Sequence, residues 1–166
     1  SSAPQLVEGL RFEGGASKVI FSRDGSMVAV LRSADVAVRS TDRSRSASMD
    51  ADIPRSKVAR IAFSPLGNFL VTWERIEPEG AAGNLCIWRL PAHRTEPVPA
   101  PAQIKLVASF PRKEAPTGDV WPLLQWSPDE AICARLLRDC VEILNGTDPA
   151  AQAIGRIAHP GVNQFS

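Results

Sequence analysis

Phe21-Ser22-Arg23-Asp24-Gly25 ends one apolar run of the sequence and opens another, and two further copies of the pattern follow. The later copies are Phe63-Ser64-Pro65-Leu66-Gly67 and Trp126-Ser127-Pro128-Asp129-Glu130. Each starts with an aromatic-Ser pair and continues with residues that favour tight turns. Glu130 stands where the other copies have Gly, which costs on the order of 1 kcal/mol if the left-handed backbone is kept. Such a unit, recurring after roughly 40 residues among short strands, is typical of β-propeller blades.

Each copy lies within a set of four segments that we predict to be short strands. The predicted fold class is all-β, a partial β-propeller of about three four-stranded antiparallel blades plus the start of a fourth. Residues 1–166 form a fragment of one propeller domain, with blades roughly at 18–53, 58–110 and 120–158 and the next beginning about 162. Because three units do not close a ring, we expect two bare, apolar blade faces. A plain antiparallel sandwich with chance likeness between its hairpins is the alternative.

The spacing of the repeated Ser locates an insertion in the second unit. The Ser recurs first after 42 residues and then after 63. Two stretches of suitable composition account for the excess, one at 77–83 and a Pro-rich one at 91–101, and both are predicted to be surface loops.

Composition excludes several classes of function. The chain has 166 residues and is 44% hydrophobic, which suits a domain with a sizeable core. Its 19 basic and 18 acidic residues give a net charge of +1, so the whole chain has no strong attraction for nucleic acid or acidic lipid. No apolar run could span a bilayer and no secretory leader opens the chain, so we expect no membrane partner. The start at Ser1-Ser2 predicts trimming or processing.

The sequence contains no recognisable catalytic constellation. His93 and His159 lie among turn-like residues, and neither a nucleophile elbow nor a Gly-rich phosphate loop is present. The three Cys residues sit in apolar runs and are predicted to be buried free thiols, which favours a cytoplasmic location. No suitably spaced His or further Cys completes a zinc site. We therefore expect no enzyme activity, no cofactor and no metal. The cysteines are Cys86, Cys133 and Cys140.

The most basic stretch runs from residue 39 to residue 60, through a strand exit, a Ser/Arg-rich loop and the next strand entry. Its cations would contact RNA phosphates without reading sequence, and that binding would weaken with salt. The alternative is a solvated loop and outer strand whose charges oppose edge pairing, and three Asp residues lie in the same stretch. The predicted RNA- or ribosome-binding residues are Arg39, Arg43, Arg45, Arg55, Lys57 and Arg60.

The units depart from WD repeats, since Trp88 is followed by Arg rather than Asp. Lys18-Val-Ile-Phe-Ser-Arg-Asp-Gly25 and Gly83-Asn-Leu-Cys-Ile-Trp88, together with residues 63–65, 71–73 and 126–135, resemble the N-terminal propeller of eukaryotic translation initiation factor 2A. Residues 160–165 resemble the entry to that family's next blade. The likeness spans nearly the whole chain from Lys18, except for the Pro-rich insertion.

A second family, subunit b of eukaryotic translation initiation factor 3, has a related propeller. Phe69-Leu-Val-Thr-Trp73 and Trp121-Pro-Leu-Leu-Gln-Trp-Ser127 resemble it about as well, while the turn of the first unit favours factor 2A. The resemblance implies a nine-bladed, non-enzymatic scaffold that associates with the small ribosomal subunit and supports delivery of initiator tRNA. The implied partners are that subunit, initiator tRNA, mRNA and other initiation factors. A subunit b-type scaffold and a generic WD-repeat interaction module are the alternatives.

Overall fold

The computed structural model describes residues 15–41, 50–75, 83–91, 103–112 and 121–158, which form three four-stranded antiparallel sheets. Blade 1 contains β1 (Ala16–Phe21), β2 (Met27–Arg32), β3 (Val36–Ser40) and β4 (Ala51–Ile53). Blade 2 contains β5 (Val58–Phe63), β6 (Phe69–Glu74), β7 (Leu85–Arg89) and β8 (Lys105–Phe110). Blade 3 contains β9 (Leu124–Trp126), β10 (Ile132–Leu136), β11 (Cys140–Asn145) and β12 (Gly155–Ala158).

This architecture confirms the predicted all-β fold class. In every sheet the strands are adjacent in the order in which they occur along the chain. The outer strand of blade 1, β4, begins at Ala51 and ends with the predicted blade at residue 53, while residues 42–49 lie outside the described residues. The Pro-rich stretch beyond Pro91, most of the loop at 77–83 and the predicted start of a further blade at 162 also lie outside them.

The central strands are buried on both faces, as their unbroken apolar runs predict. All residues from Met27 to Leu31 in β2 and from Phe69 to Trp73 in β6 are buried. Within blade 2, Trp88 Nε1 on β7 donates a hydrogen bond to Thr72 Oγ1 on β6 at 2.9 Å, on one of these buried faces. The blades therefore stack through their flat faces.

Two apolar clusters lie between the blades. The first joins blade 1, including Leu31 and Val38, to the face of blade 2 that carries Leu70 and Trp88. The second joins the opposite face of blade 2 to blade 3. Its buried members are Phe69, Val71, Trp73, Leu85, Ile87, Leu123, Leu124, Cys133 and Leu144. Blade 2 is thus packed on both faces.

The faces that point away from blade 2 carry exposed apolar side chains. Phe21 on β1 is 63% exposed, and Ile157 on β12 is 59% exposed. Val19 and Ile132 are also exposed on these two faces. On blade 1 the exposed apolar side chains of this face lie on β1, whereas Val28, Val30 and Ala37 on the same face are buried, so the expectation of a wholly bare face is wrong there.

The repeated turns have the predicted chemistry. In the first turn the backbone N–H of Met27 donates to Ser22 Oγ at 2.9 Å, and in the second the N–H of Phe69 donates to Ser64 Oγ at 2.9 Å. Gly25 and Gly67 have φ values of 73° and 76°, a left-handed conformation that favours Gly. We call the end of the blades that carries these turns the turn end, and the end where the chain passes between blades the linker end.

Candidate nucleic-acid interface

The structure does not bring the predicted basic residues together. Arg39 lies near the turn end of blade 1, whereas Arg55 and Lys57 follow β4 at the linker end. Arg60 lies within β5. Arg43 and Arg45 lie outside the described residues. The described members therefore occupy three separate places rather than one continuous patch.

The charge of Arg39 is balanced within blade 1. Its Nη1 donates to Asp52 Oδ1 at 2.7 Å and to the backbone carbonyls of Val38 and Ala51. Its Nε also lies 3.7 Å from Asp50 Oδ2. Because these partners hold the guanidinium against β4, Arg39 fits the outer-strand alternative better than an RNA contact.

Arg55 and Lys57 lie in the link between blades 1 and 2. Arg55 Nη1 is 3.4 Å from Glu74 Oε1, and its guanidinium carbon lies 5.7 Å from the centre of the Trp88 ring. Lys57 is exposed, and its backbone carbonyl accepts a hydrogen bond from the N–H of Arg75 at 3.2 Å. Among the described candidates, Lys57 is the cation that is most open to solvent.

Arg60 lies on the face of blade 2 that packs against blade 3. It is directly opposite Trp73 in the pairing of β5 with β6, and Trp73 belongs to the second apolar cluster. Directly opposite residues project to the same side of a sheet. Arg60 is half-buried there, so it belongs to the interface between blades 2 and 3 and not to the basic loop.

Glu130 has a role that the sequence did not reveal. Its φ is 56°, so the third turn keeps the left-handed geometry without Gly, and the residue is only 2% exposed. Glu130 Oε1 accepts from the backbone N–H of Leu66 at 2.7 Å, and Oε2 accepts from Asn68 Nδ2 at 2.9 Å. The third turn therefore holds the second turn through a buried carboxylate. The one sign of this role in the sequence was that Glu130 stands where the other two turns have Gly.

A second polar contact joins blades 2 and 3 nearer the linker end. Glu142 is buried between Arg135 and Arg156, and the Arg135 guanidinium carbon lies 3.8 Å from the centre of the Phe110 ring. Burial raises the pKa of Glu142, but hydrogen bonds from Arg156 and Arg135 lower it by more, so its pKa lies below the ordinary value. Glu142 is therefore ionised at neutral pH.

Asp24 and the cysteines fit a structural role. The Ser22 hydroxyl, which donates to Asp24 at 2.7 Å, is the main cause that lowers the pKa of Asp24 to about 2. Cys86, Cys133 and Cys140 are free thiols, and burial raises the pKa of Cys133 to about 12. A thiol with such a pKa is a poor nucleophile.

In the described ranges, no group of three or more His, Cys, Asp or Glu side chains is placed to hold a metal ion. Nor does that part of the chain form a helix with the length and apolarity needed to cross a membrane.

The sheets and their packing define a class of protein, the β-propellers, and the described residues form three blades. A solved structure described as a eukaryotic initiation factor superposes with a TM-score of 0.72, over 94% of this chain and 36% of that one, at 24% identity. At this identity the superposition shows the fold alone. No protein-family model matches the chain.

The particular protein that the chain resembles is eukaryotic translation initiation factor 2A. It is 28% identical to the Dictyostelium discoideum protein of that name over 134 residues, which are 80% of this chain and 20% of the relative. It is 26% identical to the Schizosaccharomyces pombe protein over 154 residues, 91% of this chain and 24% of the relative. The resemblance predicted from the repeated segments is confirmed, and the chain spans about a fifth to a quarter of these relatives.

Proposed function

We propose that the chain is part of a translation initiation factor. Its blades act in the cytoplasm as a non-enzymatic scaffold that associates with the small ribosomal subunit and supports delivery of initiator tRNA. The observation that carries this proposal is the likeness to two proteins named factor 2A over at least 80% of the chain. The solved initiation-factor structure supports the same architecture for the blades.

The accessibility of the basic side chains decides which of them could contact ribosomal RNA. Affinity for phosphate comes largely from cations that displace condensed counterions, so a contributing side chain must be accessible. Arg39 is held by two Asp residues and Arg60 is half-buried between blades. Lys57 stays in the proposal because it is the most exposed of the described candidates, and we keep Arg43 and Arg45 on their sequence alone.

Co-sedimentation of the full-length protein with purified small ribosomal subunits tests the proposal. We expect association at low salt and a decline in the association constant as the salt concentration rises. No association at low salt would refute the proposal. Pull-downs that recover partners without ribosomal proteins would favour a generic interaction module instead.

Charge-removing variants assign the contact. Changing Arg43 and Arg45 to Ala should weaken binding and lower the salt slope by up to about 2, and Lys57→Ala should lower it by about 1. Arg23→Ala is the matched control, because Arg23 is exposed at the turn end, outside the basic stretch. If none of these three substitutions changes the salt slope of binding, the three residues belong to a solvated loop and do not contact RNA.

A further inference from the structure

The residue pair Asn145-Gly146 at the end of β11 has the composition that favours deamidation. Gly has no Cβ to hinder the approach of its backbone nitrogen to the preceding side chain. Once its proton has left to solvent, the Gly146 nitrogen attacks Asn145 Cγ, the bond from Cγ to the side-chain nitrogen breaks, and ammonia leaves. Water then opens the resulting succinimide ring to aspartate or isoaspartate.

The contacts of the Asn145 side chain favour this attack. Asn145 is half-buried, and its Oδ1 accepts from the backbone N–H of Thr147 at 2.9 Å and from Thr147 Oγ1 at 2.8 Å. Two donors on a carbonyl oxygen stabilise the negative charge that develops there when a nucleophile adds to the carbon. These hydrogen bonds therefore make Asn145 Cγ more electrophilic.

The contacts of Gly146 oppose the attack. The backbone N–H of Gly146 donates to the carbonyl of Ala131 at 3.0 Å, so the proton that must leave is held between β11 and β10. The carbonyl of Gly146 accepts from Trp126 Nε1 at 3.1 Å, and the Trp126 ring stacks on Phe69 of blade 2 with ring centres 5.6 Å apart. Because Gly146 is buried and held at both of its backbone polar groups, its nitrogen is free to react only when the bond to Ala131 opens.

We infer that Asn145 is a deamidation site that is closed while β10 and β11 are paired up to Gly146 and opens when this end of the pair separates. The isoaspartate product would add a methylene group to the main chain just before Gly146. Even an added Cβ at Gly146 would lie 2.1 Å from the carbonyl oxygen of Glu130, so the product does not fit. Glu130 carries the carboxylate that binds the second turn, and the modification would therefore disturb the contact between blades 2 and 3. This inference does not depend on the proposed function.

Mass spectrometry of the full-length protein tests the inference. The protein is incubated folded and in urea, digested, and the peptide that contains Asn145 is followed for replacement of the side-chain NH₂ by OH. We expect deamidation in urea, and a rate at least about tenfold lower in the folded protein, because the open state is a minority of the molecules. Asn84 precedes Leu, whose side chain hinders the attack, and should stay unmodified as the internal control. No reaction at Asn145 in urea, or equal rates in the two states, overturns the inference.

Two Trp variants distinguish local opening at Gly146 from a general loss of stability. Trp126→Phe removes the indole N–H that binds the Gly146 carbonyl and should raise the rate in the folded protein about fivefold. Trp121→Phe is the matched control, because it removes an indole hydrogen bond of the same interface, to the carbonyl of Ile61 at 3.3 Å. It should leave the rate unchanged. If both variants deamidate at the same rate, the proposed opening at Gly146 does not control the reaction and the inference is wrong.

Discussion

The two blade interfaces use one position of the repeated turn in opposite ways. Between blades 1 and 2 the position is Gly67, where an added Cβ would lie 2.8 Å from Met27 Cε and 3.7 Å from Ser22 Cβ. The absence of a side chain lets the second turn lie directly on blade 1. Between blades 2 and 3 the position is Glu130, whose carboxylate reaches back to the second turn and binds the backbone of Leu66. The first contact is made by close apolar packing and the second by directed hydrogen bonds.

The difference between the two interfaces shows which kind of contact fixes the position of one blade relative to the next. Apolar contact is non-directional and depends on buried area. Hydrogen bonds to buried donors fix the relative position of two surfaces, because a shift would leave those donors unpaired. The interface between blades 2 and 3 has such hydrogen bonds at the turn end, through Glu130. Towards the linker end it has a contact of another kind, the stack of Arg135 on Phe110.

The largest expected effect comes from adding one methyl group beside the third turn. In Gly146→Ala, the new Cβ would lie 2.1 Å from the carbonyl oxygen of Glu130, and backbone must move to relieve this contact. We expect a loss of about 3 kcal/mol or more in the free energy of unfolding of the full-length protein. Gly67→Ala is the matched change at the other interface and should cost only about 1–2 kcal/mol, because its left-handed φ is strained but the Met27 side chain can move. Equal losses in urea unfolding would contradict this ranking.

Removal of the Glu130 carboxylate has the next largest effect. Glu130→Ala loses two hydrogen bonds and keeps the positive φ, so we expect a loss of about 2–3 kcal/mol. Glu130→Gly loses the same hydrogen bonds but relieves the backbone, and should be about 1 kcal/mol less destabilising. Urea unfolding of both variants separates the two contributions. If Glu130→Gly is about 1 kcal/mol more stable than the unchanged protein, the carboxylate adds nothing to the interface.

Acid should weaken the interface between blades 2 and 3 through Glu142. Because the pKa of Glu142 is lower in the folded protein than in the unfolded chain, its ionised form stabilises the fold above the unfolded pKa of about 4.3. That contribution is lost as the pH falls from there through the folded pKa. Glu142→Gln should therefore flatten the decline of unfolding free energy between about pH 5 and pH 3. An unchanged decline in Glu142→Gln, measured by urea unfolding at each pH, would show that other acids cause it.

The smallest expected effect belongs to the link between blades 1 and 2. Arg55 is 35% exposed and lies 3.4 Å from Glu74, so solvent screens their attraction. We expect Arg55→Gln to cost no more than about 1 kcal/mol. A larger loss in urea unfolding would mean that the first interface also depends on a polar contact.

The strands and turns were predictable because their causes are local. The Ser hydroxyl of each turn, with the Pro or Gly that the turn contains, acts within five residues. The continuous apolar runs of β2 and β6 indicate burial on both faces. The sequence also predicted the buried thiols of Cys86 and Cys133, but the same prediction was wrong for Cys140, which is only half-buried near the start of β11.

The partners of individual charges were not predictable, because they depend on contacts between segments that are distant in sequence. Glu130 and Leu66 are 64 residues apart, and the sequence showed only that Glu130 departs from the repeat. Arg60 looked like part of a basic loop, yet its position opposite Trp73 directs it to blade 3. The partner of Arg39 was likewise not predictable, because Asp52 comes close to Arg39 only through the pairing of β3 with β4.

The most direct test of the central claim, that a side chain of the third turn holds the second, is amide hydrogen exchange at Leu66. Asp24 occupies the equivalent position in the first turn and serves as the internal reference. In the full-length protein we predict that the Leu66 amide exchanges more slowly than the Asp24 amide, and that Glu130→Ala removes this difference while the rate at Asp24 stays unchanged. A Leu66 amide that exchanges at the same rate with and without the Glu130 carboxylate would contradict the account.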